Sequence, residues 1–225
     1  MKTSLQNIKD IFINPKITFI RLKDDPKWIL AFALCCIGFG LVELVTYPFE
    51  THILSTGVTQ ESAIPDTPHI SHSIMEFLVS VLVGGFMLLI LFVVFSTFYL
   101  GIARLFRINR TVLKFSHIYI CVVHISFVGV CFRIINTVLL FIFKSPQDIS
   151  TELDMEMIPG LHHILSFLEN EKLLIVLSDM NLLSIWEILL TTIAVGVLIG
   201  VDRYRSILIA ICLWILTTFS SAIFW

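Results

Sequence analysis

The chain has 225 residues, 57% of them hydrophobic and only 14% charged, with a formal net charge of −2 and a mean hydropathy of +0.94. A soluble domain carries about 25% charged residues, so this balance excludes an ordinary water-soluble globule and belongs to a membrane protein. All five cysteines (Cys35, Cys36, Cys121, Cys131, Cys212) fall inside apolar runs and none forms a CxxC pair, which argues against a disulfide framework or a zinc site.

Residues 1–27 are polar and of mixed charge, with no secretory signal expected, because the first apolar run comes too late and is too long. They predict a cytoplasmic lead-in of two short helices. Asn14-Pro15 reads as an N-cap followed by proline at the first helical position. Beyond it, Ile17, Phe19 and Ile20 are expected to rest on the membrane while Lys16 and Lys23 stay wet. Asp25-Pro26 opens a first span over 26–49, with Trp28 at its interface.

Residues 50–73 read as an acidic loop with Pro65 and Pro68 and no Lys or Arg. Ser73 and Glu76 have capping-box spacing and start a second span over 74–100. A basic link at 101–109 leads to the longest apolar run, 111–143, and then to an acidic stretch at 144–181 broken by Pro146 and Pro159. A partly amphipathic helix around 161–168 is expected there, lying on the membrane. The last two spans are 182–201 and 204–224, joined by the turn at 202–205. Each predicted span meets the ~17–25 residues a crossing needs.

Lys and Arg number six in the lead-in, four from Arg104 to Lys114 and two at 203–205, while the opposite loops hold only Lys144 and Lys172. That bias places the N-terminus in the cytoplasm. The expectation is an all-α, polytopic integral membrane protein with five transmembrane helices. Residues 1–27 form the lead-in, residues 28–225 the membrane domain, and 50–73 and 144–181 its extracytoplasmic loops.

Two stretches carry a resemblance. One is Asn14-Pro15-Lys16-Ile17-Thr18-Phe19 followed by Leu22-Lys23-Asp24-Asp25-Pro26-Lys27-Trp28. The other is Asp179 with Leu183-Ser184-Ile185-Trp186. With the five-span spacing, these resemble the bacterial branch of the Yip (Ypt-interacting protein) domain family over nearly the whole chain. The resemblance implies an integral membrane protein. Eukaryotic relatives sit in ER and Golgi membranes and bind Rab-type GTPases. This chain lacks their long cytosolic arm and their Asp-Leu-x-Gly-Pro segment, which argues against GTPase binding.

Charged groups inside the spans are the first candidates for function, because each costs about 2.5–3.5 kcal/mol on insertion scales. Counted at ~1.5 Å per residue from the basic anchors, Arg133, Glu43 and Glu187 all fall about 22–28 Å from the inner face. An Arg133 ion pair with Glu43 or Glu187 is therefore expected, with Asn136 nearby. Glu187 has a competing reading as the third residue of a Ser184 capping box, and Arg133 as a snorkelling side chain.

His117, Cys121, His124 and Cys131 follow one another at steps of 4, 3 and 7 and share a helix face. Such ligands suit metal or haem, or plain hydrogen bonding inside the bundle, and the latter is preferred. At 100° per residue, Arg133 points away from His124, so this span must be surrounded by others or bend near Gly129. His52, His69, His72, His162 and His163 lie among the acidic loops without the spacing of a standard metal site. Gly196 and Gly200 form a GxxxG suited to close helix packing.

No nucleotide loop, nucleophile elbow or HExxH motif is present, and the basic residues read as membrane anchors, not as a nucleic-acid surface. The expected function is non-enzymatic and cofactor-free: an inner-membrane, multi-pass scaffold for lipids, membrane partners or further copies of itself. The alternative is a small transporter or channel component with a polar path near Glu43, Arg133, His124 and Glu187.

Overall fold

A computed structural model describes residues 2–57, 74–105, 114–165, 167 and 171–224. Among the described residues the regular secondary structure is helical throughout, apart from one bridge between Gly160 and Asn181. The helices are α1 (Lys2–Ile13), α2 (Pro15–Asp24), α3 (Ile29–Gly57), α4 (Ile74–Leu105), α5 (Phe115–Phe143), α6 (Leu161–Ile164), α7 (Glu171–Ser178), α8 (Leu182–Ile199) and α9 (Arg203–Phe224). Two 3-10 turns, Pro146–Asp148 and Glu152–Met155, follow α5.

Stretches of α3, α4, α5 and α8 are long and apolar enough to cross a membrane: Ile29–Ile53, Val81–Arg104, Phe115–Phe143 and Leu182–Ile199. The fifth expected span falls on α9, whose 22 residues reach about 33 Å at helical rise and run back along α8. The protein is thus an all-α, multi-pass membrane protein.

Helix α5 is the axis of the bundle. Helices α3, α4 and α8 all pack on it, and α9 packs on α8 and touches α4. Every residue from Ile118 to Ile125 is buried. Two helical turns buried all round require neighbours on every side, so α5 is surrounded. Opposite it in character is α4, with Leu82, Phe86, Met87 and Phe98 all exposed, as expected of a helix facing lipid.

The lead-in differs from its expectation. Asn14-Pro15 does divide α1 from α2, with the proline in the first turn. Phe19, however, is fully buried with Ile11 and Leu22 in the main core, while Ile17 and Ile20 remain exposed. Helix α2 packs against α8, so one of its faces is claimed by protein and not by lipid. Lys23 Nζ donates to the Val197 carbonyl at 3.0 Å, satisfying one of the bare carbonyls in the last turn of α8. Trp28 stands edge-on to Tyr119 of α5, with ring centroids 5.2 Å apart. The α1–α2 pair therefore closes one end of the bundle.

Other boundaries move. Helix α3 continues past residue 49 to Gly57, through Pro48 and Glu50. Loss of apolarity does not end the helix, and the Thr51 hydroxyl back-bonds to the Tyr47 carbonyl at 3.0 Å. The helix expected over 161–168 is the single turn α6, followed by the separate α7; residues 166 and 168 lie outside the described set. Ser73 of the proposed capping box, the 106–113 link and residues 58–72 also lie outside it.

Candidate functional site

At the end of the bundle opposite α1 and α2, a cavity of about 360 Å³ opens between α4, α5, α8 and α9. Two polar stripes line it. Ser126, Gly129 and Arg133 come from α5, and Ser184, Glu187 and Thr191 from α8. Both sets run i, i+3, i+7, the spacing that keeps side chains on one helix face. Asp179 and Asn181 form the rim; Phe92 and Tyr99 of α4, with Trp214 and Thr218 of α9, complete the wall.

The start of α8 is built to hold this rim. Asn181 is the N-cap, and its Oδ1 accepts from the Leu183 and Ser184 amides at 2.9 and 3.1 Å. The Asn181 amide donates to Ser184 Oγ at 2.9 Å, completing a capping box. The Ser184 hydroxyl also bonds to the Asp179 carbonyl. Asn181, not Ser184, is thus the cap, so Glu187 is one turn too deep to serve the helix terminus. It is left to project into the cavity.

Glu187 lies against the backbone of α5. A Cβ placed on Gly129 would come within 3.0 Å of Glu187 Oε1, so the missing side chain is what lets the carboxylate approach. Gly129 makes room there; with α5 surrounded, no bend is needed. Arg133 is one turn further along and is exposed. It acts electrostatically on Glu187, as does Asp179.

Neither Arg133 nor Glu187 forms an ion pair within 4.0 Å among the described residues, whose pairs are Arg21–Asp10, Lys27–Asp25 and Arg205–Asp202. The expected tie between spans is thus replaced by two opposite charges facing one void. Glu43 is elsewhere. It lines a separate groove of about 540 Å³ between α3 and α4, beside Gly40, Gly84 and Gly85. Phe39 and Leu88 border both spaces and form the partition.

Asn136 does not join the charged group. Its Oδ1 accepts from the Met157 and Ile158 amides at 2.7 and 3.1 Å, and its Nδ2 donates to the Met155 carbonyl at 3.0 Å. One side chain thereby fastens the loop after α5 onto the bundle. Lys144 adds a bond to the Asp154 carbonyl at 2.7 Å, and Phe49, Leu140 and Ile149 form a small core beneath. Asp154 accepts from Ser150 and Thr151. Burial opposes its charge, but these bonds outweigh it and hold its carboxyl below the usual range. Glu156 is pushed the other way by burial and by Asp179, with Arg133 pulling against them, although the residue as a whole remains exposed.

The His/Cys face does not converge. His124 is buried, and its Nδ1 meets the Ile120 carbonyl of its own helix at 2.9 Å. Cys121 faces Tyr99 and Ala194 across a small gap, Cys131 is half-buried against the main core, and His117 is half-buried near the α2 end. Different helices claim each side chain because α5 is surrounded. His162 and His163 lie with ring centroids 4.0 Å apart and their planes tilted by 37°, while His69 and His72 lie outside the described residues. Among the described residues, no three His, Cys, Asp or Glu side chains gather as a metal site.

The GxxxG pair also divides. A Cβ on Gly196 would lie 3.3 Å from Ser206 Oγ, so this glycine packs α8 against α9. Gly200 has a φ of +76° and ends α8 in the left-handed conformation; its task is the cap.

Thr191, Ser126, Asn181 and Asp179 were not singled out as site residues. The polar i, i+3, i+7 stripe on the fourth span was a readable signal for Ser184, Glu187 and Thr191 together. Gly129 had no such signal, since its role depends on which helix faces it.

A family model for the Yip1 domain matches residues 9–224, nearly the entire chain. No curated protein and no solved structure matches it.

Proposed function

The chain belongs to the Yip1 domain family, and on that premise we propose a non-enzymatic inner-membrane protein that organises lipids or membrane partners by holding one in the α4–α5–α8–α9 cavity. The α1–α2 pair lies in the cytoplasm, following the segregation of Lys and Arg, and the cavity belongs to the outer half of the membrane.

The observation that supports holding over passage is the floor of the cavity. Below Tyr99 and Thr191, Ile118, Cys121, Ala194 and Leu198 close around a gap of only about 10 Å³, the space of roughly one water. Beyond that floor, α2 covers α8 with Phe19 and Leu22 in the core. A blind polar pocket suits a bound group better than a conducted one. The hydroxyl of Ser184 is engaged in the cap of α8.

Transport remains the second reading, because the cavity does reach Arg133. Two measurements on the full chain separate them. Native mass spectrometry of gently solubilised protein is expected to show a retained lipid or partner, and proteoliposomes are expected to show no solute or ion flux. Flux through the wild type that vanishes in Glu187→Gln would overturn the organising role in favour of a small transporter.

A further inference from the structure

We propose that the cavity is a site for a phosphate ester carrying a primary ammonium, the phosphoethanolamine group, with its phosphate at Arg133 and its ammonium at Glu187. The proposal rests on the reading of the cavity as a holding site and names the chemistry of what is held.

Three observations converge. First, the charges are opposite, share one void of about 360 Å³ and do not touch. A cation and a carboxylate in a membrane span are costly unless satisfied, and between these two there is space where a direct bond would otherwise form. A ligand supplying both countercharges satisfies each. Second, the spacing is fixed by α5. Glu187 Oε1 rests at Gly129, and the backbone of Arg133 follows four residues later, about 6 Å further along the axis at ~1.5 Å per residue. A phosphate and an ammonium joined by a two-carbon linker reach across such a gap.

Third, the balance of charge chooses the ligand. Arg133 presents one guanidinium and Glu187 one carboxylate to the same void. A purely anionic headgroup would answer Arg133 and leave the Glu187 carboxylate without a countercharge. A group with one negative phosphodiester and one ammonium matches both poles, and its N–H donors suit carboxylate acceptors. The α4 wall is apolar, with Leu88, Leu91, Phe92 and Phe95, and Leu91 is exposed on the lipid-facing helix. That side provides a route by which acyl chains of a membrane lipid can leave the pocket.

The test is lipid retention by full-length protein, followed by native mass spectrometry after exchange into equal mixtures of phosphatidylethanolamine, phosphatidylcholine and phosphatidylglycerol. Preferential retention of phosphatidylethanolamine is expected, falling about tenfold in both Arg133→Gln and Glu187→Gln. A Leu82→Ala variant on the exposed face of α4 should retain it unchanged, and thermal unfolding in detergent checks that all variants are folded. Soluble glycerophosphoethanolamine identifies the source. If it displaces the lipid or raises the unfolding temperature by itself, a free headgroup suffices; if it does neither, the lipid is the ligand, and both results support the shared chemistry.

Equal retention of all three lipids, or retention indifferent to both substitutions, overturns the proposal. Retention of phosphatidylglycerol that depends on Arg133 but not on Glu187 overturns it too, while leaving the holding role intact. Loss of every bound species together with solute flux would remove both.

Discussion

At the scale of single residues, the clearest lesson is Asn136. An amide inside an apolar run reads naturally as part of an intramembrane polar group with Arg133. In the fold it makes three bonds to the backbone of Met155, Met157 and Ile158, replacing strand-like partners that an irregular loop lacks. Its depth was legible, because it stands two turns before Lys144. Its partners were not, because they are about 20 residues away along a stretch with no periodic pattern. Asn136→Ala should leave those backbone groups unsatisfied and cost about 1–3 kcal/mol of local stability. Limited proteolysis is the check. Cleavage within 144–165 should accelerate while helical circular dichroism stays at the wild-type level, and unchanged cleavage would mean that the loop is held by other contacts.

At the scale of elements, the helices themselves were largely readable and their ends were not. Spans appear in sequence because lipid demands a continuous apolar run. Helix ends follow local hydrogen bonding, which carried α3 beyond its apolar part and assigned the α8 cap to Asn181. The region between α6 and α8 depends on one close approach. A Cβ on Gly160 would lie 2.6 Å from the Ser178 carbonyl, in the stretch where the Leu161 amide donates to the Met180 carbonyl at 3.1 Å. The obstacle is backbone, which cannot swing aside as a flexible side chain can. Gly160→Ala should therefore separate this pairing, cost about 1–3 kcal/mol and displace Asp179 and Asn181 from the rim. Retention of the cavity's ligand should fall together with thermal stability. A variant as stable and as retentive as wild type would show that the rim is fixed by the Asn181–Ser184 cap alone.

At the scale of the whole molecule, the arrangement of helices around α5 was only partly legible. Angle counting required α5 to be surrounded or bent, but which neighbours take which face depends on packing across distant segments. The lead-in shows the same limit: its two helices were visible in Asn14-Pro15, yet the burial of Phe19 required knowing that α8 lies beside it. That contact now constrains topology. Lys23 reaches the Val197 carbonyl at 3.0 Å, and the turn between α8 and α9 begins three residues later at Gly200. The lead-in and this turn must lie on the same side of the membrane, whichever side it is. Single cysteines placed at Lys9 and Asp202, in a background with the five native cysteines changed to alanine or serine, should therefore react together with a membrane-impermeant maleimide. The basic residues around the two positions, Lys2, Lys9 and Lys16 in the lead-in and Arg203 and Arg205 in the turn, predict that labelling appears only after the membrane is permeabilised. Labelling of both from outside would invert the orientation and leave the bundle intact, whereas labelling from opposite sides would break the α2–α8 contact on which the closed floor of the cavity depends.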